Sequence, residues 1–267
     1  SLGLNGLGAC ATQYASEYMN VTAYTKGIKY SINFKKGEAV TDLIKEECPK
    51  TKKGTVVRWK SDAEVFTDIN ISHEFFSNIL KKQAVVNAGL TLTLKWQNLD
   101  GSFETESYFY EKGIVGYMEE RVGVDYLTLP VSYSAERVGR DSEDRGEYKL
   151  KMQFAFCFSN EVNLIEYYHN SSFLEHGGSP DKAARNAFVW AVDNYLKNNN
   201  KYTKNESKII YQDIQDSLVL VTNCFSTIGC FENQTKKSVN SKFTQEAMTA
   251  FFKEQLTVWF IENAQEA

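Results

Sequence analysis

Two runs alternate at period two, Val-Thr-Ala-Tyr over 21–24 and Ile-Lys-Tyr-Ser-Ile-Asn-Phe over 28–34, with Lys26-Gly27 between them. Alternation sends every second side chain to one face, and a tight link containing glycine closes an antiparallel hairpin. That pairing excludes an all-helical fold. Gly37 ends the second arm, and Gly-Thr-Val-Val-Arg-Trp over 54–59 reads as a third strand. Phe75, Phe76, Ile79, Leu80 and Ala84 then recur at helical spacing, which predicts a helix capped by Ser72 and ending near Gly89. Strands over 90–96 and 104–110, joined through Asn98-Leu99-Asp100-Gly101, complete a layered α+β unit that closes near residue 112.

A second unit follows. A connecting helix over 113–122 precedes two long strands, 131–138 and 148–158, joined by a charged turn over 139–146 that reads as a solvated loop. A strand over 163–169 extends the sheet. Pro180 starts an amphipathic helix over 181–198, with Ala184, Ala187, Phe188, Ala191 and Tyr195 inward. The apolar run over 218–222 is a buried strand, and a helix over 239–262 closes the chain.

Composition narrows the class. Of 267 residues, 42% are hydrophobic and 24% charged, and only three are proline, which fits ordered globular domains without long disordered tracts. No apolar run approaches the roughly 18 residues that span a bilayer. Net charge is −4, which argues against a generally basic nucleic-acid binder while leaving room for a local basic lining. The five cysteines form no CxxC pair and no ligand set with histidine, so no metal site is expected and a reducing cytoplasm suits them. His73, His169 and His176 lack a partner pattern and read as structural.

Near its start the chain reads Gly3-Leu4-Asn5-Gly6-Leu7-Gly8, followed by small and apolar residues that predict a short helix over 12–18. Glycines before a helix leave room for an anion beside unpaired N–H groups. The same pattern also fits an ordinary structural turn. It is neither a Walker loop, lacking Gly-Lys-Ser/Thr, nor a dinucleotide fingerprint, since no strand precedes it.

Far downstream, Phe231-Glu232-Asn233-Gln234-Thr235-Lys236 resembles the Gln-Thr-Lys loop of type IIA DNA topoisomerase ATPase subunits. Lys53-Gly54-Thr55-Val56-Val57-Arg58-Trp59 and Glu175-His176-Gly177-Gly178-Ser179 lie between the two motifs in the expected order. Nearly the whole chain thus resembles the family of DNA gyrase B and its topoisomerase IV counterpart. The resemblance implies the second half of a Bergerat-type (GHKL) ATPase sandwich over 1–112. A ribosomal-S5-like transducer over 113–267, ending in a long helix, would follow.

The resemblance also implies roles. Gly3, Gly6 and Gly8, with Leu4, Asn5 and Leu7 between them, would surround the phosphates of ATP. Thr55 and Val57 would lie at the adenine end. Lys236 would reach the γ-phosphate with Gln234 beside it, while Lys237 points to solvent. Lys182 and Arg185 would face DNA. The family commonly has His at the position of Asn5 and Thr-His at Ser179-Pro180, and this chain departs from its pattern at both, so no imidazole contact is carried over. The family's general-base Glu, Mg²⁺-ligating Asn and adenine-binding Asp would lie upstream of Ser1. The chain opens without Met, inside the motif, which points to an excised fragment, inactive by itself.

For the parent, the resemblance implies an ATP-hydrolysing, cytoplasmic enzyme that changes DNA topology, with ATP and Mg²⁺ as cofactors. Its partners would be DNA, the A-type partner protein of gyrase or topoisomerase IV, and a second copy joined through the ATPase region on ATP binding; no membrane is implied. Two other readings stay open. One is a catalytically inactive dimerisation scaffold; the other is a mismatch-repair-type GHKL ATPase.

Overall fold

A computed structural model describes residues 6–228, 231 and 236–267. By packing, the chain divides into two compact units, Ser1–Ser72 and His73–Ala267. No helix among the described residues is long and apolar enough to cross a membrane.

The first unit is a twisted sheet with one helix. Helix α1 (Leu7–Tyr14) leads into β1 (Ser16–Thr25), β2 (Ile28–Lys35), β3 (Glu38–Ala39), β4 (Ile44–Glu47) and β5 (Gly54–Ser61). Strand order is β3-β2-β1-β5, with β4 sharing the β2 edge. The hairpin forms as expected: Thr25 pairs with Ile28 around Lys26 and Gly27, both at positive φ (52° and 82°), the geometry of a tight two-residue link. The helix expected over 12–18 is displaced to Leu7–Tyr14. Residues from Ser16 onward are drawn into β1 because they pair with the end of β5, Ser16 with Ser61 and Tyr18 with Lys60. Strand β4 was not foreseen. It is exposed along its length and held by main-chain pairing and the Lys29–Glu46 ion pair at 2.6 Å, as charged edge strands are.

The second unit has three layers. Helix α2 (His73–Val86), the hairpin β6 (Leu92–Gln97)–β7 (Phe103–Tyr108) and α3 (Ile114–Val122) precede β8 (Val131–Gly139), β9 (Tyr148–Phe158), β10 (Leu164–His169) and β11 (Ser172–Phe173). Then come α4 (Ser179–Asn198), α5 (Tyr211–Gln215), β12 (Leu218–Ser226) and α6 (Lys242–Glu262). The sheet runs β11-β10-β12-β9-β8, antiparallel except for β10 beside β12. Period-two alternation divides its side chains between two cores. Leu150, Met152, Phe154 and Phe156 of β9 face α4 and α6, whereas Ala155 and Cys157 face Ala84, Val85, Ile114 and Met118 of α2 and α3.

Aromatic rings fill the α4–α6 side, with Phe154 and Phe252 centred 4.5 Å apart and Phe156 and Trp259 5.3 Å apart. Each such buried ring contributes about 1.5–3 kcal/mol relative to exposure. Residues 73–112 therefore pack with the second unit. The final helix starts at Lys242, not 239, because the buried hydroxyl of Ser241 accepts from Thr244 N at 2.9 Å and caps it there.

Candidate functional site

Expected site residues fall in both units. In the first, Gly6 sits at the N-cap of α1 with φ 65° and ψ 7°, left-handed backbone that glycine adopts without strain. The earliest backbone bond of the helix is Cys10 N to Gly6 O at 3.1 Å, so the N–H groups at the helix start have no partner within it. A Cβ built at Gly6 or at Gly8 would meet no atom of the described residues within 4 Å. Among the described residues nothing pairs with these N–H groups, which lie at the positive end of the helix dipole. The far end of α1 is fixed to the sheet by Gln13 Nε2, which donates to Gly37 O at 2.7 Å, and by Asp62 N, which donates to Ala15 O at 3.1 Å.

Strand β5 supplies the second element. Cross-strand partners share a face, and Thr55, Val57 and Trp59 stand opposite Ala23, Val21 and Met19 of β1. Trp59 and Ser61 line a cavity of about 310 Å³ with Thr12, Ala15 and Ser16 from the end of α1 and the start of β1. Thr55 and Val57 lie further along that face, both exposed. Gly6 thus caps the helix that carries Leu7 and Gly8, and Thr55 and Val57 lie on the β5 face whose far end, at Trp59 and Ser61, meets the end of α1. Gly3, Leu4 and Asn5 lie outside the described residues, as does Gln234.

In the second unit, two motifs 50 or more residues apart in sequence meet. The loop after Lys236 is bonded to the turn before α4: His176 N donates to Lys237 O at 3.0 Å and Ser179 N to Val239 O at 2.8 Å. Gly178, at φ 86°, allows this approach, since a Cβ there would come within 2.2 Å of Val239 O. The two helix starts are also joined. Ser179 Oγ donates to Ser241 O and accepts from Ser241 N, both at 2.9 Å. Ser241 Oγ donates to Asp141 Oδ1 at 2.7 Å, and Phe243 N donates to the same oxygen at 3.1 Å. Asp141 belongs to the turn expected to be only solvated; instead it fixes the head of α6.

Lys236 hangs just ahead of this junction. It is half-buried, at φ 58°, a left-handed conformation costing roughly 1–2 kcal/mol for a side-chain-bearing residue. Its Nζ stands 5.6 Å from the centre of the Phe231 ring. Lys237 departs from the expectation of a free solvated side chain: its Nζ pairs with Glu175 Oε2 at 2.7 Å. Glu175 is held below the usual carboxylate range, chiefly by that hydrogen bond.

The basic pair on α4 separates. Lys182 is exposed. Arg185 is exposed too, but its Nε donates to both oxygens of Asp181 at 2.9 Å and its guanidinium lies 4.3 Å from the centre of the Tyr211 ring. Sequence reasoning missed Phe231, Ser241 and Asp141. Ser241 lies inside the helix expected over 239–262, and Phe231 stands in the Gln-Thr-Lys motif without an expected role.

The topoisomerase IV ATP-binding domain of Francisella tularensis superposes with a TM-score of 0.72 at 23% identity, covering 99% of this chain and 69% of that one. The 43K ATPase domain of Thermus thermophilus gyrase B gives 0.71 at 22% identity, with 98% and 68% covered. The fold is therefore the mixed α/β, GHKL-type fold of topoisomerase ATPase domains. The sequence model of DNA gyrase B matches residues 113–267, more than half of the chain, and the chain belongs to the DNA gyrase B family. The B subunit of DNA topoisomerase 4 from Bacillus subtilis is 27% identical over 99% of this chain, and the B subunit of DNA gyrase from Staphylococcus aureus 24% over 99%. The chain spans about two fifths of the length of these relatives, 39% and 40%.

Proposed function

We propose that this chain binds the phosphates of ATP and transmits the nucleotide state within the ATPase component of a type IIA DNA topoisomerase. In this reading the Gly3–Gly8 turn holds the phosphates on backbone N–H groups, Thr55 and Val57 lie toward the adenine, and Lys236 with Gln234 contacts the γ-phosphate. By ancestry the nucleotide-binding part runs over 1–112 and the transducer over 113–267; the match to the family beginning at residue 113 supports that division. The parent hydrolyses ATP, dimerises through this region, acts in the cytoplasm and works on DNA with an A-type partner protein. Mg²⁺ accompanies the nucleotide phosphates. Among the described residues no three metal-ligating side chains cluster, so no ligand for it is assigned here.

One observation carries the reading. The loop that bears Lys236 is bonded through Val239 and Lys237 to the start of α4 and ends at the cap of α6. A shift of Lys236 toward a phosphate therefore pulls on the heads of two helices of 20 and 21 residues. The ammonium neutralises charge that develops on the departing phosphoryl group, and the paired helices move as one body when that charge is gone.

Gly8 provides the test. Its Cβ direction is open among the described residues, so Gly8→Ala adds helix propensity at little cost to them. With phosphate at this N-terminus, the added methyl group lowers affinity for a non-hydrolysable ATP analogue by about tenfold or more in the intact protein. Affinity within about twofold of wild type, at unchanged stability, would remove phosphate from this turn.

DNA contact on α4 now rests on Lys182 alone. Lys182→Ala is expected to lower DNA-stimulated ATPase activity and to reduce its log–log salt slope by about one phosphate contact. Arg185→Ala breaks the clamp with Asp181 and Tyr211, so its effect is expected in thermal stability first. A salt slope that responds to Arg185→Ala and not to Lys182→Ala would reverse this assignment.

A further inference from the structure

His169 ends β10 and is fully buried, although nothing in the proposed mechanism uses it. Its Nε2 shares a hydrogen bond with Ser226 Oγ at 2.9 Å, at the end of β12. Its Nδ1 has no hydrogen-bond partner among the described residues. Burial lowers its pKa to about 4, so the ring is neutral at ordinary pH. The edge contact it makes is with Phe231, ring centres 5.4 Å apart and planes at 89°. Phe231 in turn pairs with Val239, the residue bonded to the start of α4, and carries the Lys236 ammonium 5.6 Å from its centre.

We infer that His169 and Phe231 are positioning residues for Lys236: the buried imidazole sets the plane of the phenyl ring, and the ring face holds the ammonium. The ring quadrupole attracts a cation within about 6 Å, and an edge-on aromatic neighbour is a favoured packing that fixes ring orientation. A neutral imidazole suits this place, because a charged one would repel the ammonium across a single ring. Ser226 anchors the imidazole to the strand that leads into the loop. The position of Lys236 is thereby referred to the central strands β10 and β12 as well as to the helix heads.

The inference rests on the reading of Lys236 as the γ-phosphate contact, and the experiment separates the two. In the intact protein, ATP turnover, KM for ATP and the ring-current shift of the Lys236 ε-methylene protons are measured for Phe231→Leu, Phe231→Tyr, His169→Val, His169→Phe and Lys236→Ala. The shift is assigned by its loss in Lys236→Arg. Phe231→Leu is expected to lower kcat about two- to fivefold with KM within about twofold, and to abolish the upfield shift. Phe231→Tyr keeps both. His169→Val lowers kcat and the shift as Phe231→Leu does, His169→Phe recovers them, and the double variant His169→Val/Phe231→Leu is no worse than either single one.

If Lys236→Ala lowers turnover while Phe231→Leu and His169→Val leave kcat and the shift at wild type, the inference fails and the reading of Lys236 stands. If Lys236→Ala leaves turnover unchanged, both fail. Should His169→Val not fold, as judged by circular dichroism, the Phe231→Leu and Phe231→Tyr pair decides.

Discussion

Lys236→Ala in the intact protein is expected to lower ATP turnover by about 10²–10³-fold, the equivalent of roughly 2.7–4 kcal/mol, as when one preorganised donor is removed from a developing oxyanion. On this reading binding of ATP weakens much less, because the phosphate donors proposed for the glycine turn and the proposed adenine contacts are untouched. The neighbouring lysine is the control. Lys237 spends its charge on Glu175 at 2.7 Å in a half-exposed pair, and exposed pairs contribute little. Lys237→Ala should therefore change turnover less than about threefold. Steady-state turnover and analogue titration on the two variants decide the matter. Equal losses would mean that the polar loop has no selective partner for phosphate and that Lys236 is only the lysine next to a junction.

The elements that sequence patterning placed well are those fixed by neighbours along the chain. The β1–β2 hairpin was legible because both arms alternate and Lys26-Gly27 can adopt the two positive φ values the link needs. Strands β8 and β9, helix α4 and the second half of α6 announced themselves by period and punctuation. What escaped depends on partners far away in sequence. The start of β1 at Ser16 is set by Ser61, 45 positions on, and the parallel pairing of β10 with β12 spans the whole of α4.

The candidate site divides along the same line. Lys236, Gly6, Gly8 and Thr55 came from motifs, which record residue types and order. The junction that gives Lys236 its mechanical connection is made by Ser179 and Ser241, 62 positions apart, and by Asp141 in a turn whose charge pattern suggested only solvent. A short polar side chain shows nothing in sequence of whether water or a distant backbone will satisfy it. Lys237 illustrates the converse: two adjacent lysines look alike until Glu175 takes one of them.

Gly178→Ala is expected to destabilise the second unit strongly. The backbone there stands at φ 86° and ψ −132°, a region that side-chain-bearing residues occupy at a cost of about 1–3 kcal/mol. The added carbon would also lie 2.2 Å from Val239 O, 2.6 Å from Ser238 Oγ and 2.9 Å from Val239 N, so the loop after Lys236 must move away. Overpacking of that kind costs about 1–3 kcal/mol more. Together these lower the melting temperature of the unit by roughly 5–20 °C. Gly146→Ala is the matched control, since a Cβ there meets nothing within 4 Å and its φ is not positive.

The same substitution tests the mechanical role of the junction. Displacing Val239 from Gly178 loosens the hold of α4 on the loop of Lys236 without changing the lysine itself. Turnover, measured well below the lowered melting temperature, should then fall by about tenfold or more, approaching the Lys236→Ala value if the loop must be held to present its charge. A variant that melts early yet turns over ATP at the wild-type rate would show that the junction only stabilises the unit, and that the proposed coupling of Lys236 to α4 and α6 does not run through this loop.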